Sequence, residues 1–244
     1  MFFTNRYINP NEKRLKRKDS SESLISASDQ QNSAEVYIRE DSPIPRIYSR
    51  RIEKLLIALF AIFLSIYCSL EIQHFNYSST YYQFIPLHIS AQNAAEILSV
   101  MSTTYTIGRC VSAFVGLKVG PKIMIIYHLF IIIIAMAVLF YGQHSLTLIW
   151  IGNIIIGFGF SAMYSSIIAL TANHVTLTDS VSTVMVFGNG VFGAVTPFVL
   201  GPLIESYPSA FIQLEVVYLI LSALLFLVIV SITERSARSQ HHLL

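Results

Sequence analysis

The amino-acid sequence predicts an all-α membrane protein with six transmembrane helices and both ends in the cytoplasm. First, the 244-residue chain is 54% hydrophobic and only 12% charged, which is far more apolar than a soluble domain of this size. Second, it contains six apolar segments of about 20 residues or more, the length that crosses the ~30 Å hydrocarbon layer of a bilayer. Third, only five of its 16 Lys and Arg residues lie beyond residue 54, and all five fall at predicted cytoplasmic ends.

The N-terminal segment, residues 1–50, is polar and has no sustained apolar period. Because such a segment buries too little surface to offset its chain entropy, we expect a disordered cytoplasmic tail. Its basic run, residues 13–18, suits anionic lipid headgroups, although a solvated tail that merely sets the orientation is the favoured interpretation. A folded basic face of the kind that binds nucleic acid is not visible, so no nucleic-acid partner is predicted.

The six predicted spans cross the membrane alternately and agree with the rule that Lys and Arg stay on the cytoplasmic side. They cover approximately residues 54–76, 92–115, 122–141, 146–172, 179–203 and 209–232. The connection 116–122 carries two lysines and is predicted to be cytoplasmic, as is the tail 234–244. The three outer connections contain no Lys or Arg, and they are 77–91, 142–145 and 204–208. The membrane domain is therefore predicted to cover residues 51–233.

The first span ends with polar and aromatic residues that suit a polyhydroxyl ligand. Glu71 and Phe75 lie one turn apart on one face, and Gln73 shares another face with Asn76. Carboxylates and amides bond to hydroxyl groups, whereas aromatic rings cover the apolar C–H face of a sugar. The alternative, an interfacial aromatic belt with a water-exposed carboxylate, explains the pattern equally well. Asn76 also begins a glycosylation sequon, which the topology places on the outer side.

Arg109 lies inside the second predicted span, seven residues before Gly116 at the inner connection. An arginine at this depth needs a carboxylate or helix-terminal carbonyl groups as its partner. We therefore predict that it stabilises a closed inner gate, and an arginine that snorkels to the inner headgroups is the alternative. By contrast, Glu96 and Glu215 lie near the outer ends of their spans and are expected to be wet.

The fourth and fifth spans each carry an asparagine among glycines. Asn153 and Asn189 are predicted ligand contacts, with interhelical hydrogen bonding favoured for at least one of them. The fifth span also matches the pattern G-x-G-x-x-G, but the match lies within an apolar helix and not after a strand, so it predicts no dinucleotide site. Instead, Gly188 and Gly193 allow two helices to approach closely, and Pro197 permits a kink.

No catalytic constellation is visible, so the sequence does not predict an enzyme. It lacks the H-E-x-x-H, G-x-S-x-G and G-x-x-x-x-G-K patterns, and its two cysteines have neither zinc nor redox spacing. Within the predicted spans, no two of the seven histidines sit at i, i+4, so a haem or metal site lacks support. No cofactor is predicted.

A short inner connection and a series of span residues together carry a family resemblance. The connection is Gly116–Lys122, and the span residues are Leu70-Glu71-Ile72, the stretch from Asn93 to Arg109, the stretch from Ser166 to Leu170, Ser182-Thr183-Val184, Gly188, Gly193, Pro197 and Gly201. The connection resembles a cytoplasmic signature of the major facilitator superfamily. The span residues resemble, in order, the sodium-dependent glucose transporter group that includes major facilitator domain-containing protein 4. The resemblance covers about residues 55–230, as the C-terminal six helices.

This resemblance implies one half of a major facilitator fold, in which a solute binds between two six-helix halves that rock against each other. It implies transport of a glucose-like sugar or similar polar solute in the plasma membrane, with Na⁺ as a candidate coupling ion. Residues 1–50 then look like the linker between halves. The chain is accordingly expected to be a piece of a longer carrier, or a half that pairs with a second copy or another half.

Residue roles follow from combining this resemblance with the patterns above. The predicted substrate-binding residues are Glu71, Gln73, Asn153 and Asn189, and the predicted gating residues are Arg109, Gly188, Gly193 and Pro197. The alternative function is that of an incomplete half that acts as a non-transporting binding or scaffold protein in the membrane.

Overall fold

The computed structural model describes the backbone of residues 50–241 and the side chains of residues 50–236. The predicted tail or linker, residues 1–50, lies outside this part except for Arg50. Within the described residues the chain is helical and contains no strand, as the sequence predicts. The helices and the one short 3₁₀ turn are α1 (Arg50–Phe84), α2 (Ala91–Gly116), α3 (Pro121–Tyr141), the 3₁₀ turn (Gly142–His144), α4 (Leu146–Phe160), α5 (Met163–Ala172), α6 (Asp179–Ile204) and α7 (Ser209–His241).

Local capping residues explain where several of these helices begin. The Ser90 side chain accepts a hydrogen bond from the backbone N–H of Asn93 at the start of α2, and Thr178 does the same for Val181 at the start of α6. Pro121 occupies the first turn of α3, where its missing N–H costs nothing. These residues therefore define the starts of α2, α3 and α6.

The first helix is longer than its predicted span. It continues past residue 76 to Phe84, so the predicted outer connection 77–91 shrinks to residues 85–90. Ser78, Tyr81 and Tyr82 in this extension are buried against other helices, and this burial favours a continued helix over a loop. Pro86 then disfavours helical backbone in the residue before it, which is consistent with the end of α1.

The fourth predicted span is broken, not continuous. Helix α4 ends at Phe160 and α5 begins at Met163, with Ser161 and Ala162 in a turn between them. The hydroxyl and the backbone N–H of Ser161 both donate to the carbonyl of Phe158, at 2.7 and 3.2 Å. Serine side chains compete in this way with the normal helical bonding pattern, and the break follows from that competition.

Within the described residues 50–241, five helical segments are long and apolar enough to cross a membrane. They are Arg50–Phe84, Pro121–His144, Leu146–Ala172, Asp179–Ile204 and Ser209–Ser236. Helix α2 has sufficient length at 26 residues, but it is more polar and does not join this set. Its Ser, Thr, Gln, Asn and Arg side chains are mostly on exposed or half-exposed positions. The second predicted span therefore exists as a helix with an unusually polar surface.

Helix α1 is the centre of the packing, because it contacts α2, α5, α6 and α7. Helix α4 packs between α2 and α3. The approach of α4 to α2 is close enough to require glycine, since a Cβ atom at Gly157 would lie 2.5 Å from the carbonyl oxygen of Met101. These contacts set the positions of the polar side chains on α1 and α2.

Candidate functional site

Three polar side chains form a row between α1 and α2. The hydroxyl of Tyr105 donates a hydrogen bond of 2.7 Å to Oε1 of Glu71, and the guanidinium carbon of Arg109 lies 4.7 Å from the Tyr105 ring centroid. The ring of Phe75 stands edge-on to Tyr105, with centroids 5.3 Å apart. We call Glu71, Tyr105 and Arg109 the polar row. It offers a carboxylate, a phenol and a guanidinium next to an aromatic ring.

Arg109 connects this row to the break in the fourth span. Its Nε–H donates a hydrogen bond of 3.4 Å to the carbonyl oxygen of Ser161, which lies in the turn between α4 and α5. Of the two partners that the sequence left open, a carboxylate or a helix-terminal carbonyl group, the structure gives Arg109 the carbonyl group of Ser161. The side chain is also exposed, and no other described residue forms a hydrogen bond with its terminal amino groups. These donors remain accessible to a ligand.

A cavity of about 390 Å³ lies beside Arg109. It is bordered by α2, the start of α3 and the α4–α5 break, and its polar lining consists of Arg109, Ser112, Ser161, Ser165 and Ser166. Ser166 is 6% exposed, and its hydroxyl forms no hydrogen bond with another described residue. The cavity therefore combines one guanidinium with several hydroxyl groups.

A second cavity, of about 210 Å³, lies between α1, α5 and α6. Asn189 borders it together with Leu64 and Tyr164, and Oδ1 of Asn189 is buried without a hydrogen-bond partner. Among the predicted binding residues, Asn189 thus borders an open volume. Its carbonyl oxygen is available to a hydroxyl or ammonium donor.

Gln73 and Asn153 lie in different surroundings, because both are completely buried between helices. Nε2 of Gln73 donates to the carbonyl of Phe211 on α7 at 3.3 Å. Nδ2 of Asn153 donates to the Tyr82 hydroxyl and to its own helix at Ile149, each at 2.7 Å. No hydrogen bond joins any two of the four predicted binding residues, and only Asn189 borders the 210 Å³ cavity.

The predicted gating residues of the fifth span all lie on α6. Gly188 is at a close approach to α1, where an added Cβ atom would lie 2.8 Å from Oγ of Ser65. Gly193 faces open space, with no described atom within 4 Å of such a Cβ. Pro197 cannot donate to the carbonyl of Gly193 four residues earlier, yet α6 continues as a helix to Ile204.

Asn76 lies inside α1 and not in a connection, and its side chain is exposed. Glycosylation at this position therefore stays a prediction. Glu96 is exposed as expected, and it accepts a hydrogen bond of 3.2 Å from Gln92 on the same helix.

The expectation that Glu215 is wet is wrong. Glu215 on α7 and His74 on α1 are both 0% exposed, and Nδ1 of His74 lies 2.8 Å from Oε1 of Glu215. A signal was present in the sequence, because both residues fall inside predicted spans, where ionisable groups usually pair. The missing information was that the first and last predicted spans are neighbours, which is a property of the tertiary structure alone.

The family model described as Major Facilitator Superfamily matches residues 3–197. The chain belongs to the major facilitator superfamily. This membership confirms the resemblance predicted from the sequence and agrees with the helical fold. Members of the superfamily are multi-pass membrane proteins that carry small solutes and in general need no cofactor. Among the described residues of this major facilitator chain, no group of three or more His, Cys, Asp or Glu side chains is arranged to hold a metal ion.

One similar relative is major facilitator superfamily domain-containing protein 4A of Xenopus tropicalis. It is 25% identical to this chain over 124 residues. The aligned part is 51% of this chain but only 25% of the relative, so the similarity concerns a quarter of the relative's length.

Proposed function

We propose that this chain contributes one six-helix half of a carrier that moves a small polar solute, such as a sugar, across the membrane by alternating access. The observation that carries the proposal is the polar row beside the broken fourth span. Discontinuous helices near a substrate site are a recurring feature of secondary transporters. The backbone groups left free at the break can bind the substrate or an ion, and the break allows the two helix segments to move relative to each other.

The chemistry of the polar row suits a polyhydroxyl solute. The Glu71 carboxylate accepts hydrogen bonds from hydroxyl groups, and the accessible donors of Arg109 supply bonds in the other direction. The rings of Phe75 and Tyr105 offer apolar faces for the C–H groups of a sugar. A solute with few hydroxyl groups would satisfy fewer of these partners.

Helix geometry supports a binding surface that also includes Asn189. Leu64, which borders the Asn189 cavity, lies seven residues before Glu71 on α1. Seven residues are two helical turns, so both side chains share one face of α1 and are separated by about 10 Å along its axis. In this proposal, Glu71 and Asn189 contact the solute. Gln73 and Asn153 hold α1 against α7 and α4.

The exposed polar surface of α2 supports pairing with a second half. A polar helix surface in contact with lipid is costly, so it is better accommodated by a water-filled pathway or by another protein surface. We infer that this pathway lies between the described half and a second half or a second copy of this chain. In this proposal, release of the hydrogen bond between Arg109 and Ser161 opens the cytoplasmic end of the pathway. Gly188, Gly193 and Pro197 allow α6 to move.

The lysines at positions 118 and 122 support the orientation within this proposal. Both lysines lie in or next to the connection between α2 and α3, and Lys and Arg stay preferentially on the cytoplasmic side of a membrane. With six crossings, a cytoplasmic position of this connection places both termini in the cytoplasm as well. We also propose that the carrier is located in the plasma membrane and that Na⁺ is its coupling ion.

Uptake of a labelled hexose by proteoliposomes, with the full chain alone and with a candidate second half, tests the function. We expect Glu71→Gln to reduce uptake about tenfold, corresponding to about 1.4 kcal/mol of lost solute interaction. The matched control is Glu205→Gln, an exposed carboxylate at the C-terminal end of α6, which should leave uptake unchanged. Replacement of Na⁺ by choline in the same assay tests ion coupling.

Equal uptake by the Glu71→Gln protein and the wild-type protein would remove the site assignment. A chain that inserts correctly but moves no solute in either arrangement would favour the alternative of a non-transporting binding or scaffold protein.

A further inference from the structure

A second group of polar side chains lies between α1 and α7. We call Gln73, His74, Ser78, Tyr81 and Glu215 the buried polar cluster. Each of these residues is between 0% and 2% exposed. The polar row faces α2, whereas this cluster faces α7 and has no part in the proposed solute contact. It therefore requires an explanation of its own.

The His74–Glu215 pair is the centre of the cluster. Its Nδ1–Oε1 distance of 2.8 Å is that of a direct hydrogen bond, with a proton held between the two atoms. Phe160 of α4 and Phe211 of α7 cover the His74 ring, with centroids 5.7 and 5.8 Å away. The His74 ring thus packs against two aromatic rings from different helices.

Several polar atoms of the cluster have no hydrogen-bond partner among the described residues. They are Oε1 of Gln73, Nε2 of His74, Oγ of Ser78, the hydroxyl of Tyr81 and Oε2 of Glu215. A buried polar atom without a partner is costly, and a purely structural ion pair would be expected to have its remaining atoms satisfied. The cluster is therefore poorly arranged as a permanent structural support.

The charged and titratable groups near the pair are few. Tyr81 and Tyr82 of α1 lie close enough to Glu215 to interact with it electrostatically. The neighbouring groups contributed by α4 and α7 are the aromatic rings of Phe160 and Phe211. No Lys or Arg in the described part of the chain forms an ion pair with Glu215. Histidine and glutamate are thus each other's main electrostatic partner.

We propose that the buried polar cluster is a proton-exchange site whose protonation state controls the contact between α1 and α7. With one proton shared between His74 and Glu215, the pair has no net charge and is compatible with a buried position. Uptake of a second proton places one on the imidazole and one on the carboxyl group. The pair then carries one net positive charge, and its mutual attraction is lost.

A net charge in this apolar enclosure is strongly disfavoured, so the second proton is taken up only when α7 separates from α1 and admits water. Release of that proton restores the neutral pair and the closed contact. Proton binding and helix separation are therefore linked, and acidification favours the separated state. The inference does not depend on solute transport, because it concerns a different face of α1.

Infrared spectroscopy of the full chain in lipid tests the proton-binding step. The titration runs from about pH 8 to about pH 4. We expect a protonated-carboxyl band that appears on acidification and is absent from Glu215→Gln. In His74→Gln, the same band should shift its midpoint by about one pH unit or more, a tenfold change in proton concentration. Glu96→Gln is the control, because it removes only an exposed carboxyl group.

Hydrogen–deuterium exchange tests the link to helix separation. After correction for the intrinsic effect of pH, we expect protection of the amides around Phe211 and Glu215 to fall about tenfold on acidification. The pH response should disappear in the double variant His74→Gln, Glu215→Gln, while the amides of α3 remain unaffected in both proteins. Should the double variant fail to insert, the wild-type exchange and the His74→Gln spectrum decide the question.

A Glu215 band that is absent from the wild type, or that has the same midpoint in His74→Gln, would overturn the proposal. Protection that is independent of pH in the wild type would do so as well. Neither measurement requires a solute, so a negative result leaves the proposed transport untouched. Conversely, a failure of hexose uptake leaves the proton site untouched.

Discussion

Glu71 of the polar row and His74 of the buried polar cluster lie only three residues apart on α1, yet their environments differ. Glu71 is partly exposed and accepts a hydrogen bond from Tyr105, next to an accessible arginine. His74 and Glu215 are fully enclosed and contact each other directly. Residue type therefore does not decide what an ionisable group in a span can do. Access to water or solute decides it, and access depends on which helix the side chain faces.

The largest expected difference between the two regions is in stability. Glu215→Ala leaves His74 without its partner in an apolar enclosure, and we expect a loss of about 3–5 kcal/mol in the free energy of unfolding. Glu71→Ala should cost about 1 kcal/mol, because water reaches the Tyr105 hydroxyl that it leaves behind. Unfolding in mixed micelles, followed by circular dichroism, measures both values. Equal losses would show that burial does not distinguish the two regions.

A smaller effect is expected from a change inside the polar row. Tyr105→Phe removes the hydroxyl that donates to Glu71 but keeps the ring next to Phe75 and Arg109. We expect hexose uptake to fall about fivefold, equivalent to about 1 kcal/mol, with little change in the unfolding midpoint. The control is Tyr207→Phe, an exposed tyrosine in the turn between α6 and α7. A large loss of stability without a selective loss of uptake would assign the Tyr105 hydroxyl a structural function.

The smallest effect is expected from an ion pair at the surface. Lys122 at the start of α3 and Glu234 on α7 form an ion pair in which both side chains are about half exposed. We expect Lys122→Gln to change the free energy of unfolding by less than about 1 kcal/mol, because solvent screens exposed pairs. The same unfolding assay at low and high salt measures this. A loss as large as that of Glu215→Ala would contradict the distinction between buried and exposed pairs.

Much of the fold could be predicted because it depends on local properties of the chain. The lengths of the apolar runs and the spacing of Lys and Arg predicted the helices, and residues such as Gly116–Lys122 predicted the family. The depth of Arg109 in its helix also predicted either a carboxylate or a helix-terminal carbonyl group as its partner, and the carbonyl group is that of Ser161. The end of α1 and the break at Ser161 were not predicted. The first depends on burial of Tyr81 and Tyr82 against other helices, and the second on a serine that competes for a helical carbonyl.

A helical membrane protein of the major facilitator superfamily could be recognised without a structure, because the lengths of the apolar segments and the order of the motifs are properties of the linear chain. The tertiary structure alone decided which polar residues meet. Glu71 and His74 are separated by one helical turn, but α2 brings a tyrosine to one and α7 brings a carboxylate to the other. Periodicity specifies the face on which a side chain lies. It does not specify the neighbouring helix, since contacts such as that between His74 and Glu215 join residues 141 positions apart.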